Sequence, residues 1–253
     1  MRFVEALGVS GDDVVALVGG GGKTSAMFRL AREIVDKGGT VITTTTTRIF
    51  AAQIALAPSH VPAGDATRER VAAALAQHRH TLVVGATNPR DGKADGISLE
   101  LFTSLRRWFP GVAIVNEADG SRMRPFKAPA AHEPVIPVET TLVVPVVGAD
   151  VLGKTLDAES VHRAELVSAL SGASLGSTIT PEVVARVLAH RAGGLKGVPP
   201  GARVVVVINK VETLADRGLA HETAERLLGE STIESVILAE LRAEPPVLEV
   251  FTE

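Results

Sequence analysis

The chain of 253 residues has no cysteine and no tyrosine, and its aromatic residues amount to only 3%. Without cysteine there is no disulfide, no thiolate metal site and no thiol nucleophile or carrier on this polypeptide. So few aromatic faces give little basis for the stacking platforms that read single-stranded nucleic acid. Nor does one sign of charge dominate. The 26 Lys and Arg stand against 29 Asp and Glu, a net charge of −3, which argues against a nucleic-acid or membrane-surface partner. No apolar run approaches the ~18 residues that span a bilayer, and Met1–Glu5 lack the apolar core of a signal peptide. A soluble cytoplasmic protein is therefore the expectation. The hydrophobic share of 45% is enough for one large α/β domain, or a core with a small subdomain.

What is present is concentrated between Val14 and Ser25. The apolar run Val14–Val18 leads directly into Gly19, Gly20, Gly21 and Gly22, then Lys23, Thr24 and Ser25, after which a helical pattern begins. A backbone that curves without side chains turns successive N–H groups inward, where they cradle phosphate oxygens. The helix N-terminus adds partial positive charge. Lys23 is placed to neutralise the outer phosphates and the Thr24 hydroxyl to ligate Mg²⁺. A complete loop of this type carries one more glycine, at the position held by Leu17. The shortened form, Gly19-x-x-Gly22-Lys23-Thr24, is similar to the loop of Mur-type and folylpolyglutamate ligases. The alternative is a glycine-rich strand-to-helix turn with an incidental lysine.

The rest of the chain supplies the alternation expected around such a loop. Met27, Leu30, Ala31, Ile34 and Val35 mark one face of a helix that stops at Gly38 and Gly39. Strands are expected at Thr40–Thr44, Thr81–Val84, Val112–Val115, Leu142–Val147 and Arg203–Ile208, with helices at Ala66–Ala76 and Leu99–Trp108. Asn88–Gly96, dense in turn formers, is expected to be a mobile loop. Continuous apolar strands alternating with amphipathic helices imply a mainly parallel sheet with helices on both faces. The fold expected is a three-layer, P-loop NTPase-like α/β domain over residues 1–253. Within it, residues 152–200, with helical patterns at Val161–Leu170 and Pro181–Arg191, form a helical insertion or cap.

Further motifs fall at the expected strand ends. Asn116-Glu117-Ala118-Asp119-Gly120 closes one strand, and Glu117 and Asp119 are both placed to hold Mg²⁺ or its waters; the alternative is an Asp-Gly turn with a solvated glutamate. Asn209-Lys210-Val211-Glu212 follows the valine-rich strand and resembles the Asn-Lys-x-Asp base-recognition element of GTPases, with Glu212 in place of Asp. A carboxylate there suits guanine, which presents N–H donors, and mismatches adenine. Thr43–Thr47 and Arg48 follow the second strand. A threonine there is placed to reach Mg²⁺ or the terminal phosphate, and Arg48 to offset charge during phosphoryl transfer, although strand and cap preferences account for part of the run. Between Asp119 and Pro137, prolines at 125, 129, 134 and 137 make a stiff extended loop. On it Arg122, Arg124 and Lys127 form a candidate anion site, and His132 beside Glu133 is placed to exchange protons.

Together these pieces resemble the YqeC family, described as accessory proteins for selenium-dependent molybdenum hydroxylases. The resemblance is carried by Val18-Gly-Gly-Gly-Gly-Lys-Thr24, Thr43-Thr-Thr-Thr-Thr-Arg48 and Glu117-Ala-Asp-Gly-Ser121. It continues in Lys127-Ala-Pro-Ala-Ala-His-Glu-Pro-Val-Ile-Pro137, Val147-Gly-Ala-Asp150, Val161-His-Arg163 and Ile208-Asn-Lys-Val-Glu212. It implies a P-loop fold, and a role in maturing a molybdenum cofactor or its enzyme, with selenium addition one form of that role. A chain without cysteine holds no selenium as a persulfide-like adduct, so another protein would carry it.

The leading expectation is a Mg²⁺-dependent NTPase or phosphoryl-transfer enzyme that uses ATP or GTP. Lys23, Glu117, Asp119, Arg48 and His132 are the catalytic candidates. Gly19–Gly22, Lys23, Thr24 and Ser25 hold phosphates, and Asn209, Lys210 and Glu212 face the base. Thr24 with Glu117 or Asp119 organises Mg²⁺. Arg122, Arg124, Lys127 and His132 meet a second substrate or partner, either an anionic molybdenum-pterin cofactor or an apo molybdenum hydroxylase. The alternatives are a nucleotide-gated switch or chaperone that docks an apo-hydroxylase, a Mur-like ligase forming an acyl phosphate, and a binding module that hydrolyses nothing.

Overall fold

In the computed structural model, which describes residues 1–252, the chain runs α1 (Phe3–Ala6), β1 (Val14–Gly19), α2 (Lys23–Asp36), β2 (Val41–Thr45), β3 (His60–Pro62), α3 (Arg68–His78) and β4 (His80–Val84). It continues through α4 (Leu99–Trp108), β5 (Ala113–Glu117), β6 (Leu142–Gly148), α5 (Ala164–Ser171) and α6 (Pro181–Ala189). The last elements are β7 (Arg203–Asn209), α7 (Leu214–Leu228), β8 (Ser235–Ala239) and β9 (Val247–Thr252). The strands form a nine-stranded sheet in the order β9-β8-β7-β6-β1-β5-β2-β4-β3. Every pairing is parallel except that of β8 with β9.

The two faces follow from the alternation of side chains along each strand. Val15, Leu17, Val144, Val205 and Val207 pack against α1 and α2 through Phe3, Met27 and Leu30. On the opposite face Val204, Val206 and Ile208 meet α5, α6 and α7 through Val167, Val184 and Ala224. Val14, Ile42 and Ile114 meet α3 and α4 there, through Val71, Phe102 and Leu105. Strands covered on both sides become the unbroken valine and isoleucine runs seen in the sequence. This is the three-layer α/β arrangement expected from the sequence. Among the described residues no helix is long and apolar enough to cross a membrane.

β1 lies between β5 and β6, the point from which the chain builds the sheet outward in both directions. Such a reversal leaves a crevice beyond the carboxyl ends of the strands, and Gly19–Gly22 opens into it.

Two expectations are corrected. Asn88–Gly96 is an antiparallel hairpin, not a free loop. Thr87–Asn88 pairs with Lys93–Ala94, which also pairs with Ile49–Phe50. Arg48 fixes the hairpin by reaching Asp91 at 2.7 Å and Asp95 at 3.0 Å. The helix expected from Val161 begins three residues later, because Val161 and His162 pair in parallel with Phe126 and Lys127. In residues 152–200, expected as a helical insertion or cap, α5 and α6 cover a sheet face and share its apolar core, and His162 and Arg163 of this segment line the cleft described next.

Candidate functional site: a cationic cleft at the glycine loop

The loop between β1 and α2 depends on the absence of side chains. Gly21 has φ +70°, and a Cβ there would lie 2.0 Å from the Gly148 backbone nitrogen. Leu17, at the position where longer loops carry a further glycine, is fully buried inside β1, so the turn simply starts later. Gly20 N–H bonds to the Val146 carbonyl and Gly21 N–H to that of Arg124. Gly22 is the N-cap of α2 and offers no capping side chain. The first N–H groups of the helix have no intrahelical acceptor, and they open onto the cleft.

The Lys23 side chain folds back, its ammonium donating to the Gly19 carbonyl at 2.6 Å. It lies 3.2 Å from Asp119 and 3.8 Å from Glu117. The two carboxylates differ in what they face. Glu117, the last residue of β5, accepts the Thr24 hydroxyl at 2.9 Å and lines the cleft. Burial pushes its carboxyl up, while Lys23 and the Thr24 hydroxyl pull the other way. Asp119 accepts the Gly19 N–H with both oxygens, at 3.1 and 3.0 Å, and sits 3.1 Å from Lys127. All its contacts are turned inward. Of the two carboxylates, Glu117 is thus the one that faces the cleft, while Asp119 braces the loop.

Lys127, expected to meet a substrate, is also a brace. It is buried, donating to the Gly120 carbonyl at 2.7 Å and to Glu133 at 2.5 Å. Glu133 in turn binds Arg163 at 2.7 Å. Burial raises the Glu133 carboxyl, but hydrogen bonds from Arg163 and Lys127 outweigh it and hold it at about 2. A chain of alternating charges therefore runs Lys23–Asp119–Lys127–Glu133–Arg163 beneath the cleft.

Asn209 departs from expectation in the same way. It is buried, with Nδ2 donating to the Gly21 carbonyl and Oδ1 accepting the Leu241 N–H. Both ends of its amide are occupied, so it fastens the glycine loop instead of facing a base. Lys210 and Glu212 do reach open space. With Gly22, Ser25, Asp150 and Glu240 they line a cavity of about 390 Å³ beside the loop, and Lys210 pairs with Asp150 at 3.0 Å.

The cleft itself has a volume of about 540 Å³. Lys23, Arg48, Lys93, Arg122, Arg124, Arg163, Lys210 and Arg242 line it, against the carboxylates of Glu117 and Glu133. Lys23, Arg48, Arg163 and Lys210 are ion-paired within the fold. Among the described residues Lys93, Arg122, Arg124 and Arg242 have no ion-pair partner. Arg122 and Met123 adopt left-handed backbone, φ 49° and 64°, a strained turn held by Arg124 N–H on Ser121 and by Gly21 and Gly148 N–H on its carbonyls. The turn keeps both arginines at the cleft wall.

His132 lines the cleft as an exposed side chain 3.9 Å from Glu133. His162 lines it too, and reasoning from the sequence gave it no role. Burial, followed by Arg163, Lys127 and Arg122, lowers its imidazole to about 4. The threonine run is structural in its first four positions. Thr43 pairs with His80, and the hydroxyls of Thr44, Thr45 and Thr46 all donate to backbone carbonyls; Thr47 alone lines the cleft. Gln53, also missed, donates to the Thr24 hydroxyl at 3.2 Å. No spacing in the sequence links it to the loop.

Comparison with known proteins adds the following. A protein of Escherichia coli (strain K12), named "Uncharacterized protein YqeC", is 30% identical over 242 residues, 94% of this chain and 91% of its own length. Among solved structures, chloroplast FtsY from Physcomitrella patens is similar at 14% identity and a TM-score of 0.34, and FtsY from Mycoplasma mycoides at 11% identity and 0.36. The matches cover 93% and 95% of this chain but only 52% and 64% of those chains. The profile of the YqeC protein family matches residues 15–165, from β1 through the glycine loop and the charge chain to the start of α5. The chain belongs to the YqeC family.

Proposed function

We propose that the cleft binds a magnesium–nucleoside triphosphate and that the chain is an NTPase or phosphoryl-transfer enzyme. One observation carries the reading: the uncapped start of α2, the Lys23 ammonium and the Thr24–Glu117 pair all converge on one cleft rich in cations. The N–H groups at the start of α2 take the phosphate oxygens. Lys23 exchanges the Gly19 carbonyl for the outer phosphates, which accept more strongly because they are charged.

The donor set fits magnesium. Thr24 and Glu117 offer a hydroxyl and a carboxylate 2.9 Å apart, and Mg²⁺ takes few protein oxygens, completing its shell with water and phosphate. No convergence of three or more His, Cys, Asp or Glu exists among the described residues, and this ion needs none. When bound it supplies charge neutralisation to the phosphates. Arg122 and Arg124 face a second, anionic substrate. His132 and His162 are the proton acceptors at that wall. Arg48 has to leave Asp91 and Asp95 to act on transferring charge. Beside the loop, the carboxylates of Glu212, Asp150 and Glu240 favour a base that presents N–H donors, guanine before adenine.

The setting we propose is the maturation of molybdenum hydroxylases, selenium-dependent ones among them, or of their molybdenum-pterin cofactor. Family membership supports it, and a phosphate-bearing pterin suits the arginine wall. A second reading, a nucleotide-gated switch that docks an apo-hydroxylase, draws on the small sheet beside the loop. Titration calorimetry with ATP and GTP, with and without Mg²⁺, tests the common part. The parent is expected to bind, and Lys23→Ala to bind at least about tenfold more weakly. A variant that binds both nucleotides as the parent does overturns the assignment. A GTP preference that disappears in Glu212→Ala identifies the base.

A further inference from the structure

Between β2 and β3 the chain meets the phosphate loop through the side chain of Gln53. Its Nε2 donates to Thr24 Oγ1 at 3.2 Å, while its Oε1 accepts the Phe50 N–H at 3.0 Å. The Phe50 contact fixes which way the amide points: the NH₂ end faces Thr24. The Thr24 hydroxyl has one hydrogen, given to Glu117 Oε2, and two lone pairs, one of which Gln53 occupies.

That arrangement opposes a cation. An amide donor held on an oxygen that would ligate a metal brings its partial positive charge beside the ion and would weaken the site. One lone pair of Thr24 remains open to a dication, but the amide on the other opposes it, so Gln53 and the ion compete at this oxygen.

Gln53 also does not move alone. It lies in the turn Ala51–Leu56, which follows directly on Ile49–Phe50, the strand that pairs with Lys93–Ala94. Arg48 ties the same unit to Asp91 and Asp95, and Ala51 N–H bonds to the Gly92 carbonyl. Residues 48–56 and 87–95 thus form one small sheet, seated on β4 where Ile49, Ile54 and Ala94 pack against Leu82 and Val84. Phe50, 42% exposed, and Leu56, 60% exposed, lie on its surface.

We propose that Gln53 is a positioning residue that senses the cation at the phosphate loop. Its amide holds Thr24 while the loop lacks a metal. When Thr24 gives a lone pair to magnesium the amide lets go, and the small sheet loses this tie to the loop while Ile49 and Ala94 keep it seated on β4. This rests on the assignment of Thr24 and Glu117 to magnesium above, and adds to it a mechanism by which the loaded state is displayed at the surface.

Hydrogen–deuterium exchange on the full chain tests it, using ATP and GTP, each in EDTA and in Mg²⁺. Exchange in residues 48–56 and 87–95 is expected to rise with Mg²⁺–nucleotide over the metal-free nucleotide. In Gln53→Ala those segments exchange fast from the start. The Mg²⁺ concentration for half-saturation falls about fivefold, the worth of one such hydrogen bond. Gln53→Glu keeps the acceptor for Phe50 and reverses the charge beside the ion, so it lowers that concentration further. A purely structural glutamine predicts weaker nucleotide binding in both media and an unchanged Mg²⁺ requirement; that result overturns the sensor. If Mg²⁺–nucleotide binds and exchange at 48–56 stays flat, the sensor alone falls. If nucleotide binds in neither medium, the phosphate-loop assignment falls with it.

Discussion

Asn209 donates its side-chain amide to the carbonyl of Gly21 at 2.8 Å, across a sequence separation of 188 residues. The end of β7 and the tip of the glycine loop are thereby one structure, and the other end of the same amide takes in the Leu241 N–H at 3.0 Å. Asn209→Ala leaves two buried backbone groups without partners, a cost of about 2–4 kcal/mol. Urea unfolding of the variant is expected to show a lower midpoint with an unchanged slope, and calorimetry a weaker affinity for nucleotide.

Gly21→Ala tests the shape of the loop apart from its charges. The added methyl would sit 2.0 Å from the Gly148 nitrogen, on a backbone with φ +70°, and neither neighbour is a flexible side-chain end. The expectation is loss of nucleotide binding with Lys23 and Thr24 still in place. Gly64→Ala, where nothing lies within 4 Å of the added carbon, serves as the control and should leave binding at the level of the parent. Equal binding by both variants would show that the loop does not need its present curvature.

His80 sets a pH dependence of stability. It is buried beside Phe28, hydrogen-bonded to Thr43, and burial lowers its imidazole from 6.5 to about 4. The unfolded chain therefore takes up the proton first as pH falls. The contribution of the neutral ring is complete above pH 6.5 and is lost progressively down to about pH 4, amounting to roughly 3 kcal/mol. Chemical denaturation at steps across that window is expected to show this decline in the parent and a flatter curve in His80→Gln. A decline of the same size in the variant would assign the effect to other groups.

Much of this was legible from the sequence, because it rests on local signals. Val204–Ile208 reads as a buried strand from its own composition, and Gly19–Gly22 reads as a tight turn into a helix from its own glycines. What escaped depends on partners distant in sequence. Lys127 reads as a surface cation until Asp119 and Glu133 are seen to enclose it. Asp119 and Glu117, two residues apart, both reach Lys23, and only the Gly19 N–H and Lys127 on one side and the Thr24 hydroxyl on the other separate their roles. Asn88–Gly96 reads as a loop because its strand partner, Ile49–Phe50, is a two-residue segment with no pattern of its own. The overall charge of −3 was uninformative for a related reason: it averages a cleft wall lined by eight cations with an acidic remainder.

The buried charge chain bears on how the loop is filled and emptied. Lys23 is the terminal link, and its departure toward an incoming anion would ordinarily strand a carboxylate in the interior, which is among the more destabilising events a fold can undergo. Asp119 is not stranded, because Lys127 remains 3.1 Å away and the Gly19 N–H stays in place. In the proposed exchange the ammonium would move between the Gly19 carbonyl and a ligand while Asp119 keeps Lys127 as its counter-charge, and only Glu117, 3.8 Å from Lys23, would look to the ligand's own cation for a match.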